Sequence, residues 1–153
     1  MFTVSKSMFV NDSTDHEPIL NHDHVWEGLV MKAEDATPFV EVMTACRILE
    51  RGDRFLRREV EVHGHKSQEW VTFFPKHMIV FEPLDGPTRG LIKNEIEEDE
   101  QGALAIRFTF TFELAEDETM SEQAYAKRME DSYTSAVETT LATIRSFVQE
   151  GKL

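Results

Sequence analysis

The sequence predicts an α+β domain in which a curved antiparallel sheet of seven strands packs against one long C-terminal helix. Residues 2–10 and 102–114 alternate between apolar and polar side chains, as strands with one buried face do. Residues 45–113 contain short breaks rich in Gly, Pro and Asp, which are typical of tight turns between antiparallel strands. Residues 120–150 contain neither Pro nor Gly, and their apolar side chains recur at steps of three and four residues, which predicts a helix.

Two short helices are expected between the first strand and the second. Asn21 or Asp23 can cap the first helix, which carries an apolar stripe at helical spacing. Pro38 fits the first turn of the second helix. The strands that follow are expected at 45–51, 54–63, 67–74, 77–83, 88–97 and 102–114. Because the sheet and the long helix each have one apolar face, a sheet that wraps around the helix buries both and leaves an internal cavity.

Length and composition indicate one domain, residues 1–153, without disulfides. Asp and Glu number 29 against 16 Lys and Arg, so the net charge is -13, and nucleic acid and anionic membrane surfaces are poor partners. The one cysteine, Cys46, cannot form an intramolecular disulfide and fits a reducing compartment. The sequence has neither the pattern of a secretory signal nor that of a membrane helix, so a cytoplasmic location is expected.

The chain resembles a known family over roughly residues 2–150. The order of its predicted elements is that of the helix-grip proteins of the START/Bet v1-like (SRPBCC) superfamily. Within that superfamily, the AtaL-like subfamily, formerly a domain of unknown function, is similar to this chain in four segments. They are residues 24–40 (HVWEGLVMKAEDATPFV), 46–53 (CRILERGD), 56–60 (LRREV) and 80–82 (VFE).

The resemblance implies a function in hydrophobic ligand binding. The superfamily includes lipid carriers, plant hormone receptors, polyketide cyclases, aromatases and chaperone activators, and its members bind hydrophobic molecules between the sheet and the long helix. Some fungal genes of the AtaL-like subfamily are associated with secondary metabolism, which favours an aromatic or polyketide-like ligand. The subfamily has no catalytic motif that transfers residue by residue, so this expectation is an analogy at the level of the fold.

Polar residues on the predicted inner faces are the candidate site residues, because a small-molecule site combines an apolar cavity with a few converging polar groups. Arg58 is in phase with Leu56 and Val60, and an inward guanidinium requires an anionic partner or a ligand oxygen. It either contacts the ligand or forms an internal ion pair, and Glu59 takes its place in the cavity if the strand phase is inverted. The candidate ligand contacts are Trp26, Arg58, Asn94, Phe108, Phe110, Tyr125, Met129 and Tyr133, and Trp26 is alternatively a core residue. The candidate catalytic residues are Arg58, Tyr125 and Tyr133.

Three functions remain open from the sequence. The first is a non-catalytic binding protein, and the second is a cofactor-independent isomerase, dehydratase or cyclase that uses acid–base chemistry in the cavity. The third is a protein-interaction module, which would expose a large apolar patch. No cofactor is expected, because the chain lacks phosphate-binding and dinucleotide-binding glycine motifs. No metal is expected, because the spacing of His16, His22 and His24 matches no familiar ligand pattern. The protein is expected to be a monomer or a homodimer paired through an uncovered edge strand.

Overall fold

A computed structural model of the protein describes residues 2–11, 18–85, 88–114 and 122–153. Within those ranges the chain forms seven strands and two α-helices. Their bounds are β1 (Phe2–Phe9), α1 (His22–Glu34), β2 (Met43–Arg51), β3 (Phe55–Val62), β4 (His65–Phe74), β5 (Met78–Pro83), β6 (Thr88–Glu98), β7 (Leu104–Leu114) and α2 (Glu122–Gln149). The predicted seven-stranded antiparallel sheet and long C-terminal helix are therefore confirmed.

The strands form one antiparallel sheet in the order β1-β7-β6-β5-β4-β3-β2. Five consecutive hairpins build the sheet from β2 to β7, and β1 then pairs with β7, for example Val4 with Phe110. The β3–β4 hairpin has a two-residue turn, His63 and Gly64, and both residues have positive φ, as the favoured type I′ turn requires. The strands β1 and β2 form the two edges of the sheet.

Helix α1 begins at a capping box and buries one of its faces in the core. The side chain of Asn21 accepts a hydrogen bond from the backbone N–H of His24 (2.8 Å), and His24 Nδ1 accepts one from the Asn21 N–H (3.1 Å). Val25 and Leu29 are fully buried on its inner face. The helix ends at Glu34, and the N–H of Asp35 donates to the carbonyl of Met31.

The prediction of a second short helix after α1 is wrong. Residues 37–42 form consecutive turns, in which the N–H groups of Phe39 and Val40 both donate to the carbonyl of Ala36. A segment this short gains too few hydrogen bonds to offset the entropy of helix nucleation, and β2 begins at Met43. Phe39 is nevertheless buried in the core, as an apolar residue of the predicted helix would be.

Two buried clusters hold the helices on the sheet. The larger one joins α1, α2 and the middle of the sheet, and the smaller one contains Val4, Phe110, Phe112 and Tyr133. Helix α2 packs mainly on β1 and β7, at one side of the sheet, while α1 approaches β5 and β6. The middle strands are therefore covered less directly by α2. No helix in the described ranges has the length and apolar character needed to cross a membrane.

Candidate functional site

A cavity of about 540 Å³ lies between the sheet and α2. Its walls come from α1, from the turn segment 39–42, from the first residue of β2, from β3 to β7 and from the middle of α2. The apolar part of the lining includes Phe39, Phe81, Ile92, Phe108 and Ala136. The cavity opens to solvent between the turn segment and α2, where its lining residues Glu41, Val42, Ser132, Ser135 and Thr139 are exposed. Its volume is within the range of small-molecule sites.

Arg58 and Glu69 form a buried ion pair at one wall of the cavity. They are direct cross-strand partners on β3 and β4, and the guanidinium lies 2.8 Å from the carboxylate. The exposed side-chain fractions are 4% for Arg58 and 14% for Glu69. Arg58 Nη1 also donates to the carbonyls of Lys32 and Ala33 in the last turn of α1. The guanidinium thus satisfies two carbonyls at the end of a helix and neutralises one carboxylate, which fixes α1 on the sheet.

Lys32 extends from the same last turn of α1 into the cavity. Its Nζ donates to Asn94 Oδ1 at 2.9 Å and lies 4.9 Å from the ring centre of Phe81 and 5.0 Å from that of Phe108. No described carboxylate lies within ion-pair distance of this amine. Burial lowers the pKa of Lys32 from 10.5 to about 7; the Arg58 guanidinium acts in the same direction, and the Glu69 carboxylate opposes both. Near neutral pH the amine therefore exists in both protonation states.

Asn94 and Thr140 present polar atoms to the cavity without a protein partner. Among the described residues, the buried side-chain atoms that lack a hydrogen bond are Asn94 Nδ2 and Thr140 Oγ1. Asn94 is 1% exposed and Thr140 is fully buried. A buried donor left without a partner costs about 1–3 kcal/mol, so two such atoms in one cavity indicate a place for a polar group or for ordered water.

The structure brings four of the predicted ligand contacts to the cavity, namely Arg58, Asn94, Phe108 and Tyr133. Trp26 lies in the larger core cluster and Phe110 in the smaller one, and neither lines the cavity. Tyr125 and Met129 belong to α2, but their side chains lie outside the part of the chain that the structure describes. The alternative with inverted strand phase does not hold, because Arg58 faces the cavity and Glu59 accepts a hydrogen bond from Arg47.

Sequence reasoning missed Lys32 and Glu69, although a signal for each was present. Lys32 follows Gly28 by four residues and Leu29 by three, so it lies on the buried face of α1. Glu69 alternates in phase with Val71, which is fully buried. Each is a charged residue in phase with an apolar face, as Arg58 is on β3.

Two histidines of the histidine-rich segment make contacts within the protein. His24 closes the cap of α1, and His22 Nε2 lies 2.6 Å from the carbonyl oxygen of Lys76. His16 and Asp15, the other members of the histidine-rich segment, lie outside the described residues. A second concavity of about 490 Å³ lies between β1 and α2. Arg145 lines this concavity, and its guanidinium donates to the carbonyls of Val10 and Pro18, so this cation already has partners within the chain.

Comparison with solved structures supports the predicted fold. The di-domain aromatase/cyclase StfQ of the steffimycin biosynthetic pathway is similar with a TM-score of 0.72 and 12% identity, over 98% of this chain and 52% of that one, so this chain spans about half of that protein. The Zhui aromatase/cyclase from Streptomyces sp. R1128 is similar with a TM-score of 0.69 and 15% identity, over 96% and 95% of the two chains. Ara h 8.0201 gives a TM-score of 0.60 and 11% identity, over 95% of this chain and 98% of that one. At these identities the likeness shows the fold alone.

Comparison of the sequence identifies the family. No curated protein matches the chain by sequence. The family model described as acetylaranotin biosynthesis cluster protein L (AtaL) matches residues 5–151. This match covers nearly the whole chain and confirms the resemblance found in the sequence. The chain, with its helix-grip fold, therefore belongs to the AtaL family.

Proposed function

We propose that the protein binds a hydrophobic small molecule, aromatic or polyketide-like, in the cavity between the sheet and α2. The observation that carries this proposal is the cavity of about 540 Å³, whose mainly apolar wall contains two buried polar atoms without a protein partner. An apolar wall favours a hydrophobic ligand, and the few polar atoms favour one that also carries oxygen or nitrogen. The likeness to aromatase/cyclases of polyketide pathways supports this class of ligand by analogy of fold.

Native mass spectrometry of protein purified from its own host tests this proposal. We expect a mass above that of the chain alone, and organic extraction should release an aromatic or polyketide-like molecule. The same molecule, added back to stripped protein, should raise the melting temperature, because a ligand that binds only the folded state stabilises it. A bare chain mass, with no thermal shift from a panel of aromatic and polyketide-like compounds, would contradict the proposal.

Acid–base catalysis on such a ligand is a second candidate function, and Lys32 is the observation that favours it. The pKa of Lys32 is lowered to about 7, so its amine can accept a proton at neutral pH. Asn94 Nδ2 and Thr140 Oγ1 can donate to an oxygen on which negative charge develops. This arrangement suits a cofactor-independent isomerase, dehydratase or cyclase. In this role Lys32 takes the place of Arg58, which is held by Glu69, while Tyr133 lines the same cavity and stays a candidate.

Incubating the extracted molecule with the protein distinguishes a carrier from an enzyme. An enzyme of this kind should convert the molecule at a rate that rises with pH through about 7, because the base must be neutral to act. Lys32→Met should abolish conversion, and Lys93→Met should leave it unchanged. Recovery of the unaltered molecule from the wild type would show that the protein binds this molecule without converting it. Full activity in Lys32→Met would show that Lys32 is not the base.

A further inference from the structure

Lys32, Asn94 and Thr140 are three buried or partly buried polar residues that line the cavity from α1, β6 and α2. Lys32 Nζ lies 2.9 Å from Asn94 Oδ1, so the amide oxygen of Asn94 is occupied and its Nδ2 remains available to a ligand. Thr140 Oγ1, on the α2 wall of the same cavity, is buried and equally without a partner. All three groups can donate hydrogen bonds, so they favour a ligand that carries an acceptor oxygen.

The charges around Lys32, Asn94 and Thr140 favour a ligand oxygen that is negative. The cations of the cavity wall are Lys32 and Arg58, and its carboxylates are Glu69 and Glu41. Arg58 and Glu69 neutralise each other at 2.8 Å, whereas Glu41 lies exposed at the mouth. Tyr133 on α2 is the other titratable group of the lining. Among the described residues, Lys32 thus has no counter-ion, and a cation largely shielded from water is costly unless it is paired.

We propose that Lys32, Asn94 and Thr140 form a site for the acidic hydroxyl of the ligand, an enol or a phenol, which binds there as its anion. In this exchange the O–H bond of the ligand breaks, oxygen keeps the electron pair, and the proton forms a new N–H bond on the neutral amine of Lys32. The products are an oxyanion and an ammonium group in contact, so the buried charges appear as a pair. This inference rests on the proposed binding function and specifies the class of ligand.

A neutral amine is available to receive that proton, because burial and Arg58 lower the pKa of Lys32 to about 7. A ligand without an acceptor oxygen would leave the Asn94 and Thr140 donors unsatisfied. A ligand with a permanent charge would have to be stripped of water before it entered an apolar cavity. An enol or a phenol avoids both costs, because it enters as a neutral molecule and ionises only when it reaches the amine.

A matched pair of probes tests the site. 7-Hydroxycoumarin is an acidic phenol whose anion absorbs at a longer wavelength than its neutral form, and 7-methoxycoumarin has the same rings without the acidic proton. We expect the wild type to bind the hydroxyl probe at least about ten-fold more tightly, as a charge-assisted hydrogen bond implies. At a pH about one unit below the probe's own pKa, the bound probe should show the absorption of the anion.

Three variants identify the residues responsible. Lys32→Met should lose both the preference for the hydroxyl probe and the anion band, and it should still bind the methoxy probe. Lys93→Met is the matched control, because Lys93 precedes the inward-facing Asn94 on β6 and points to the other face of the sheet. Thr140→Val preserves the shape of the side chain, so its expected loss of preference, about three-fold, remains measurable if Lys32→Met does not fold.

The outcomes separate this inference from the proposed function. Equal binding of the two probes, with the neutral absorption band, would overturn the acidic-hydroxyl site and leave ligand binding intact. Retention of the preference and the anion band in Lys32→Met would also overturn it. Binding of neither probe would overturn the inference together with the function on which it rests.

Discussion

Two cations lie near the same aromatic ring, Phe81, and their neighbours give them different roles. Arg58 Cζ and Lys32 Nζ are each 4.9 Å from the centre of that ring. Arg58 has a carboxylate and two helix carbonyls as partners, so its charge is matched within the protein. In the part of the chain that the structure describes, Lys32 has one amide oxygen as its hydrogen-bond partner, so its charge can be matched by a ligand. Arg58 therefore positions α1, and Lys32 faces the ligand.

Replacing Arg58 tests its positioning role. Arg58→Met should lower the free energy of unfolding by about 3 kcal/mol or more, because the buried Glu69 carboxylate and two α1 carbonyls lose their partner. Arg57→Met on the opposite face of β3 is the control, and its pairing with Gln68 and the half-exposed Glu50 is worth less than about 1 kcal/mol. Urea denaturation measures both. Equal losses in the two variants would contradict the role of Arg58.

The lowered pKa of Lys32 predicts how stability depends on pH. The pKa is about 7 in the folded chain and 10.5 as the ordinary value, so between these pH values the unfolded chain binds more protons, and stability rises with pH. Below pH 7 the amine is charged in both states, and the cost of its burial is fully present. The gain in stability from Lys32→Met should therefore shrink by about 2 kcal/mol between pH 7 and pH 9.

Urea denaturation of the wild type, Lys32→Met and Lys93→Met at both pH values measures this effect. The difference between the wild type and Lys93→Met should stay constant, since Lys93 is on the other face of the sheet. A gain from Lys32→Met that is the same at pH 7 and pH 9 would mean that Lys32 titrates as an ordinary exposed lysine.

Single side chains were predictable from the sequence only where the period of their element was clear. The alternation of β3 placed Arg58 inward, and that of β6 did the same for Asn94, and both line the cavity. The partner of Arg58 was not predictable, because the register that aligns it with Glu69 depends on the β3–β4 turn. Whether Trp26 faces a ligand or the core depends on how α1 is rotated against its neighbours, which local spacing does not fix.

At the scale of elements, α1 and α2 approach each other closely beside the polar residues of the cavity. Gly28 of α1 lies against Ile144 of α2, so closely that a β-carbon on Gly28 would come within 2.5 Å of the Ile144 side chain. Lys32 is one turn beyond Gly28, and Thr140 is one turn before Ile144. Lys32 and Thr140 both line the cavity, so the close approach at the glycine lies one helical turn from two of its polar residues.

Gly28→Ala tests this contact. Alanine raises helix propensity by about 1 kcal/mol, but overpacking against Ile144 costs about 1–3 kcal/mol, so we expect a net loss of stability and weaker ligand binding. Ile144→Val removes one methyl group at the contact, so its cost should be smaller in the Gly28→Ala background than in the wild type. Glu27→Ala, at the neighbouring exposed position, is the control. A Gly28→Ala variant that is more stable than the wild type and binds the ligand equally well would contradict the close contact between α1 and α2.

The elements that the sequence predicted correctly are those with a long, regular period. The strands and α2 each repeat their pattern over several turns or pleats, and their bounds agree closely with the prediction. The prediction of a second short helix was wrong because Pro38 and a few apolar residues are as compatible with a turn as with the first turn of a helix. The sequence also could not show that this turn segment would form one side of the cavity mouth.

At the scale of the whole molecule, the cavity is the gap between two core clusters. Phe39, Phe81 and Phe108 belong to the larger cluster and Tyr133 to the smaller one, and all four line the cavity. Because α2 packs on β1 and β7, the middle of the sheet is left without a direct cover from that helix. The order of elements predicted a sheet and a helix with apolar faces, whereas the size of the gap depends on packing that no single residue determines.

If a ligand occupies this gap, a larger side chain that fills the gap should prevent binding. Ala136 on α2 lines the cavity and packs against both clusters, whereas Ala142 on the same helix is exposed and borders the concavity beside β1. Ala136→Phe and Ala142→Phe, once shown by their melting curves to be folded, are titrated with the neutral fluorophore N-phenyl-1-naphthylamine. We expect Ala136→Phe to weaken binding at least about ten-fold, which corresponds to about 1.4 kcal/mol, and Ala142→Phe to bind as the wild type does. Unchanged binding in Ala136→Phe, or loss of binding in Ala142→Phe alone, would contradict the claim that this cavity holds the ligand.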